Sequence, residues 1–276
     1  MHLILGNRDI NKMLFLHELS NESCSVGSHP GTYWVGLKKP PVRCDNDSNA
    51  SDRAVIAKWM LQNTMGCPKT FELRRRELER NLDHDVTDDE VAADFLRSVL
   101  PCGEMAEYLK HSELIVSIGD VLFAHGAVWS DALGAVPMLS KDCDVSMPTS
   151  NTTDGSVVKW NRVSFDEAAS DSSTPPVLEW TAQLNAFARS QVENFLKCGS
   201  QYLAGVGPRP HPWAAVPWCS TGGYTGDAGA GLLQLGMGWA ADKTRVPSVV
   251  YANNLKKDGT TFCLHANQTL PKNHNA

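Results

Sequence analysis

The sequence predicts a mixed α/β fold in a single domain over residues 1–276, on three observations. Short apolar runs of strand length are separated by longer stretches whose apolar residues recur three and four apart. With 42% hydrophobic and 20% charged residues, 276 positions suffice for one sizeable buried core. No repeat and no compositional break calls for a second domain.

Residues 2–5 read as a short buried strand that stops at Gly6. In "NKMLFLHEL", Met13, Leu14, Leu16 and Leu19 follow a short helical path. From Ser20 to about Asp52, Ser, Asn, Asp, Gly and Pro dominate and "KKPPV" acts as a breaker, so an irregular excursion is expected. Helices are predicted over "DRAVIAKWMLQ" (residues 52–62) and "KTFELRRRELERN" (residues 69–81). The Arg-rich run reads as a solvated, salt-laced helix face, with an anion site as its alternative. Thr87 followed by Glu90 forms a capping box that opens an amphipathic helix through Val91, Phe95 and Val99, stopped by Pro101 to Gly103.

A short helix over "EMAEYLKH" leads into "LIVSIGDVLFAHGAV", two apolar runs split by a hairpin signal at Ile118-Gly119-Asp120-Val121. His125 therefore stands at the end of a strand. Residues 130–176 are polar and turn-rich and are expected to wander over the surface. A helix is predicted over "VLEWTAQLNAFARSQVENFLK", and two strand-like runs flank an Asp258-Gly259 turn near the end. The glycines of "STGGYTGDAGAGLLQLGMGW" follow no G-x-G-x-x-G pattern after a strand and are read as loop geometry.

A net charge of −6 with no long basic run argues against a nucleic-acid footprint. The eight cysteines form no C-x-x-C pair and read as reduced thiols. The apolar segment at residues 1–5 is too short for a signal peptide, and no stretch approaches a membrane span. The expectation is a cytoplasmic protein with no membrane and no nucleic-acid partner.

Two strand ends carry chemistry. After Gly6, Asn7 offers a neutral oxygen for a hard divalent cation, Arg8 a planar fork suited to phosphate, and Asp9 a carboxylate to orient or neutralise either. A plain loop with a turn asparagine is the commoner meaning of such a stretch. His125, delivered by "DVLFAHG" with Gly126 beside it, is taken singly a satisfied core histidine. Two such strand ends together point to a divalent site of mixed nitrogen and oxygen character.

On these residues the sequence resembles the calcineurin-like metallophosphoesterases. "LILGNRDINK" is similar to their Gly-Asn-His-Asp/Glu motif, with Arg in place of His, and "LFAHGAV" is similar to their later strand ending in a metal-binding histidine and a glycine. "FELRRREL", "VTDDEVAADFLRSVLPCGEMAEYL", "LIVSIGDVLFAHG" and "LEWTAQLNAF" are similar in order and character to a phosphatase-like subgroup with a long helical insertion. "VGPRPHP" and "STGGYTGD" stand where that subgroup has Gly-His-x-Pro-His and a Tyr-Ser-Gly-Asp-like segment.

The resemblance implies a four-layer α/β/β/α sandwich, with residues 20–112 as loop and helical insertion. It implies two divalent ions (Mn, Fe or Zn) at the strand ends, and hydrolysis of a phosphorylated small molecule or protein. Asn7 and His125 would bind the same ion. Arg8 would stabilise phosphoryl charge without serving as a general acid, and Asp9 would orient Arg8. Pro208 stands at a metal-ligand histidine of the family; His211, three residues on, is either a ligand or a surface residue. The family's Asp-x-His and Gly-Asp-x-x-Asp motifs precede its Gly-Asn motif, so the chain is expected to lack its first strands and to be weakly active or inactive. A non-catalytic binding or scaffold protein on the same fold is the alternative.

Overall fold

The first apolar run makes one bridge of sheet. Ile4 lies parallel to Glu113, with Leu5 N–H donating to the Glu113 carbonyl at 2.9 Å and Glu113 N–H to the Leu3 carbonyl at 2.9 Å. A computed structural model describes residues 1–19, 52–126, 128, 132–137, 160–165, 174–203, 232 and 248–250. Along these run α1 (Asn7–Asn11), α2 (Leu14–Leu19), α3 (Asp52–Asn63), α4 (Thr70–Leu82), α5 (Asp88–Ser98), α6 (Glu104–His111), β1 (Ile115–Ile118), β2 (Val121–Ala124), β3 (Ala135–Pro137), β4 (Trp160–Arg162) and α7 (Pro176–Leu203). The architecture is mixed α/β, its described strands forming two small antiparallel sheets, β1–β2 and β3–β4.

The helical signals hold closely. Thr87 caps α5 as a capping box: its hydroxyl accepts from Glu90 N–H at 3.3 Å, and its own N–H donates to the Glu90 carboxylate at 2.8 Å. The β1–β2 hairpin pairs Ile118 with Val121, leaving Gly119 and Asp120 as the turn, and Gly119 takes φ +57° at no steric cost. Helix α7 runs beyond the predicted stretch to Leu203.

Two expectations are corrected. The helical path does not begin at Asn11: Asn7, Arg8 and Asp9 already form the first turn of α1, capped by Gly6 in extended conformation. Residues 130–176 are not all surface excursion, because β3 and β4 pair within them and Ala135 and Val136 are buried. Strands of three residues are too short for period-two patterning to register. The predicted excursion at 20–51 and the strand-like runs about Asp258-Gly259 lie outside the described residues.

One apolar cluster joins the elements. Phe15 of α2, Phe71 of α4 and Phe95 of α5 stack in tilted pairs with centroids 5.6 and 6.0 Å apart. Trp180 of α7 is fully buried, meets Phe165 edge-on, and donates its indole N–H to the Ala135 carbonyl at 3.0 Å. Helix α7 also completes the start of β1. The Asn185 Oδ1 accepts the N–H of Leu114 at 2.9 Å and of Ile115 at 3.3 Å, while its Nδ2 donates to the Ile115 carbonyl at 2.8 Å. A side-chain amide thus does the work of a neighbouring strand at the point where Glu113 also holds the first apolar run.

The Arg-rich run is salt-laced, as expected, but across helices. Arg74 Nε donates to buried Asp94 of α5 at 2.6 Å, and Arg75 bonds Glu72, Asp88 and the Val86 carbonyl. Lys58 of α3 reaches the same Asp88 at 2.7 Å and lies over the Phe71 ring. The Asp94 hydrogen bond outweighs burial and pushes the Arg74 guanidinium up. Burial would raise the Asp88 carboxyl, but Lys58 and Arg75 prevail and hold it below its ordinary value. The forks an anion would need at Arg74 and Arg75 are occupied by carboxylates.

Candidate functional site

Gly6 is where the two predicted strand ends meet. A β-carbon at Gly6 would lie 2.9 Å from both Cε1 and Nδ1 of His125 and 3.1 Å from Oδ2 of Asp9. The His125 ring and the Asp9 carboxylate therefore share the space that a larger residue would fill. Gly6 is used here for close approach and not for backbone freedom, since its φ of −95° suits any residue. Sequence separation conceals this contact: β1 and β2 fold back on each other and return Ala124 beside Ile115, which brings His125 next to the bridge that fixes Ile4.

Asp9 is held from three directions. Its Oδ2 accepts the Gly6 N–H at 3.0 Å and faces the Tyr108 hydroxyl at 3.4 Å, and its Oδ1 accepts from Lys12 Nζ at 3.1 Å. The Tyr108 hydroxyl also lies 3.2 Å from the Ile4 carbonyl, so a single proton is shared between two acceptors. Burial first, and then the negative charge of Asp9, push the Tyr108 hydroxyl up from its ordinary value, which keeps it a donor.

Arg8 points elsewhere. Its guanidinium lies against Gly66, which follows α3 with φ +63° and where an added β-carbon would run into it. Arg8 and His125 are exposed, whereas Asn7 is half-buried at the first position of α1. Asp9 is thus engaged with Gly6, Lys12 and Tyr108, not with the Arg8 that the resemblance has it orienting. His211 and Pro208 lie outside the described residues.

The donor set suits a divalent ion in kind, with an amide oxygen at Asn7 and an imidazole at His125 beside a carboxylate. In number it falls short: among the described residues no three His, Cys, Asp or Glu side chains are grouped to hold an ion.

Tyr108, Lys12 and Gly66 were not singled out from the sequence. A tyrosine between Met105 and Leu109 on an amphipathic helix reads as core, and only its hydroxyl, which needs a partner when buried, signals otherwise. Among the described residues no helix is long and apolar enough to cross a membrane. No family model matches this chain, and neither a curated protein nor a solved structure matches it.

Proposed function

We propose that this chain is a metallophosphoesterase-like protein that takes a phosphomonoester or a phosphorylated protein side chain beside Gly6. The observation that carries the reading is the contact of His125 with the Gly6–Asp9 turn. It brings together the two segments, "LILGNRDINK" and "LFAHG", that resemble the family's motifs. In this reading β1, β2 and the first apolar run belong to a four-layer α/β/β/α sandwich, and α3 to α6 are its helical insertion. Asn7 and His125 would hold one divalent ion, which when bound polarises a phosphoryl oxygen and makes water a better nucleophile.

The remaining roles fall to the chain's own groups. Arg8 is exposed and permanently charged, and it can swing from Gly66 to meet phosphoryl oxygens with a two-pronged contact. Asp9 keeps the turn closed through Gly6 N–H and carries Lys12 as a second cation near the site. An arginine in place of the family's catalytic histidine cannot serve as a general acid, so slow hydrolysis is expected.

The test is Mn²⁺-dependent hydrolysis of an aryl phosphate by the full chain, with Asn7→Ala and His125→Ala as controls. Slow turnover lost in both variants supports the reading, and turnover unaffected by either overturns the site. A second reading, a non-catalytic binding protein on the same fold, is favoured by the three donors that already engage Asp9. Calorimetric titration with Mn²⁺ or Zn²⁺ separates the two, because tight two-site binding is incompatible with the non-catalytic reading.

A further inference from the structure

We infer that Tyr108 is a positioning residue of this site. From α6 its hydroxyl ties the Asp9 carboxylate to the Ile4 carbonyl, fixing the Gly6 turn against which His125 rests. The inference rests on the reading of Asn7, Arg8 and His125 given above, but its geometry is independent of any bound ion.

Three features argue for it. The hydroxyl spans the residues on either side of Gly6, reaching Ile4 at the end of the apolar run and Asp9 in the first turn of α1. It touches Oδ2, the same oxygen that takes the Gly6 N–H and that lies beside the space shared with His125. Its own helix is steadied at its end, where the Ser112 hydroxyl donates to the Tyr108 carbonyl at 2.5 Å. Without the hydroxyl, Asp9 keeps Gly6 and Lys12 but loses the donor that fixes its rotation toward α6. Oδ2 is then held by the Gly6 N–H alone, and the turn beside the imidazole shifts with it. The helical insertion thereby acts on the site through one proton, much as an outer partner orients a ligand without touching what it binds.

The experiment follows the His125 ring Hε1 resonance by NMR in the metal-free chain, assigned by its loss in His125→Gln. Mn²⁺ affinity is measured alongside from the electron paramagnetic resonance of the free ion. Tyr108→Phe retains the ring and its packing, so the fold is kept and only the hydroxyl is removed. The expected result is a displaced His125 resonance together with Mn²⁺ affinity weakened about tenfold. Asp9→Asn, which alters the other end of the same contact, is expected to displace the resonance as well and serves if Tyr108→Phe fails to fold. A His125 resonance unmoved by either variant overturns the inference, whatever happens to Mn²⁺ affinity. If the resonance moves but the unaltered chain binds no Mn²⁺, Tyr108 keeps its role and the proposed function is what fails.

Discussion

Replacing Asn185 by Leu should remove a large part of the chain's stability, and the size follows from the contacts. The Asn185 amide satisfies the N–H of Leu114, the N–H of Ile115 and the carbonyl of Ile115 at 2.9, 3.3 and 2.8 Å. Leu114 and Ile115 are both wholly shielded from solvent, so water cannot take over. A buried backbone group left without a partner costs about 1–3 kcal/mol, and the longer 3.3 Å bond contributes least. The expected loss is about 3–5 kcal/mol, against a total of about 5–15 kcal/mol for a typical domain. Urea unfolding followed by tryptophan fluorescence measures it, with an unchanged slope showing that the denatured state is not what moved. A loss below about 1 kcal/mol would refute the claim that this side chain completes the sheet, because one ordinary hydrogen bond is worth that much.

Other substitutions separate site from scaffold. Gly6→Ala meets no backbone strain at φ −95° and displaces an exposed histidine ring, so stability should change by less than about 1 kcal/mol. The His125 resonance should nonetheless move and Mn²⁺ affinity fall, and an unmoved resonance counts against the contact at Gly6. Arg74→Leu leaves buried Asp94 with only Arg97, and should cost about 1–2 kcal/mol, discounted from a fully buried pair by the partial exposure of the guanidinium. Denaturation of the variant, and of its combination with Asp94→Asn, tests this, since the pair should lose less than the sum of its parts. Acid should loosen the start of α5. The Thr87 backbone N–H, then its hydroxyl, then His84, hold the Glu90 carboxyl down to about 2 from 4.5. Because the folded value lies below the unfolded one, this support is present above 4.5 and is lost as pH falls toward 2. Thermal midpoints across that window should fall more for the unaltered chain than for Glu90→Gln, and parallel curves would sink the assignment.

Local chemistry made several elements legible. Thr87 and Glu90 three apart cap a helix wherever they sit, because both partners lie within one turn. Glycine and aspartate between two apolar runs closed the β1–β2 hairpin for the same reason, and that closure was enough to put His125 at a strand end. The pairing of β3 with β4 was not legible, since its strands are three residues each and Trp180 of α7 reaches Ala135 only once the chain has folded. The Arg-rich run could be read as salt-laced but not as an interhelical clamp, because Asp88 and Asp94 meet it only once α4 and α5 pack.

The candidate site divides along the same line. The sequence alone determined which groups stand at the two strand ends, because an apolar run that stops at glycine and continues with Asn, Arg and Asp can be seen without folding it. Asp9 meets Gly6 and Lys12 within one helical turn, but that Tyr108 also holds it and that Arg8 lies over Gly66 were decided by tertiary structure. The reason is physical: Tyr108 and Gly66 stand tens of positions from the residues they meet, and the chain carries no local signal for a partner that only packing brings near. Gly6 belongs to both accounts, marking in sequence the end of a strand and, once folded, a bare backbone position on which His125 and Asp9 both close in.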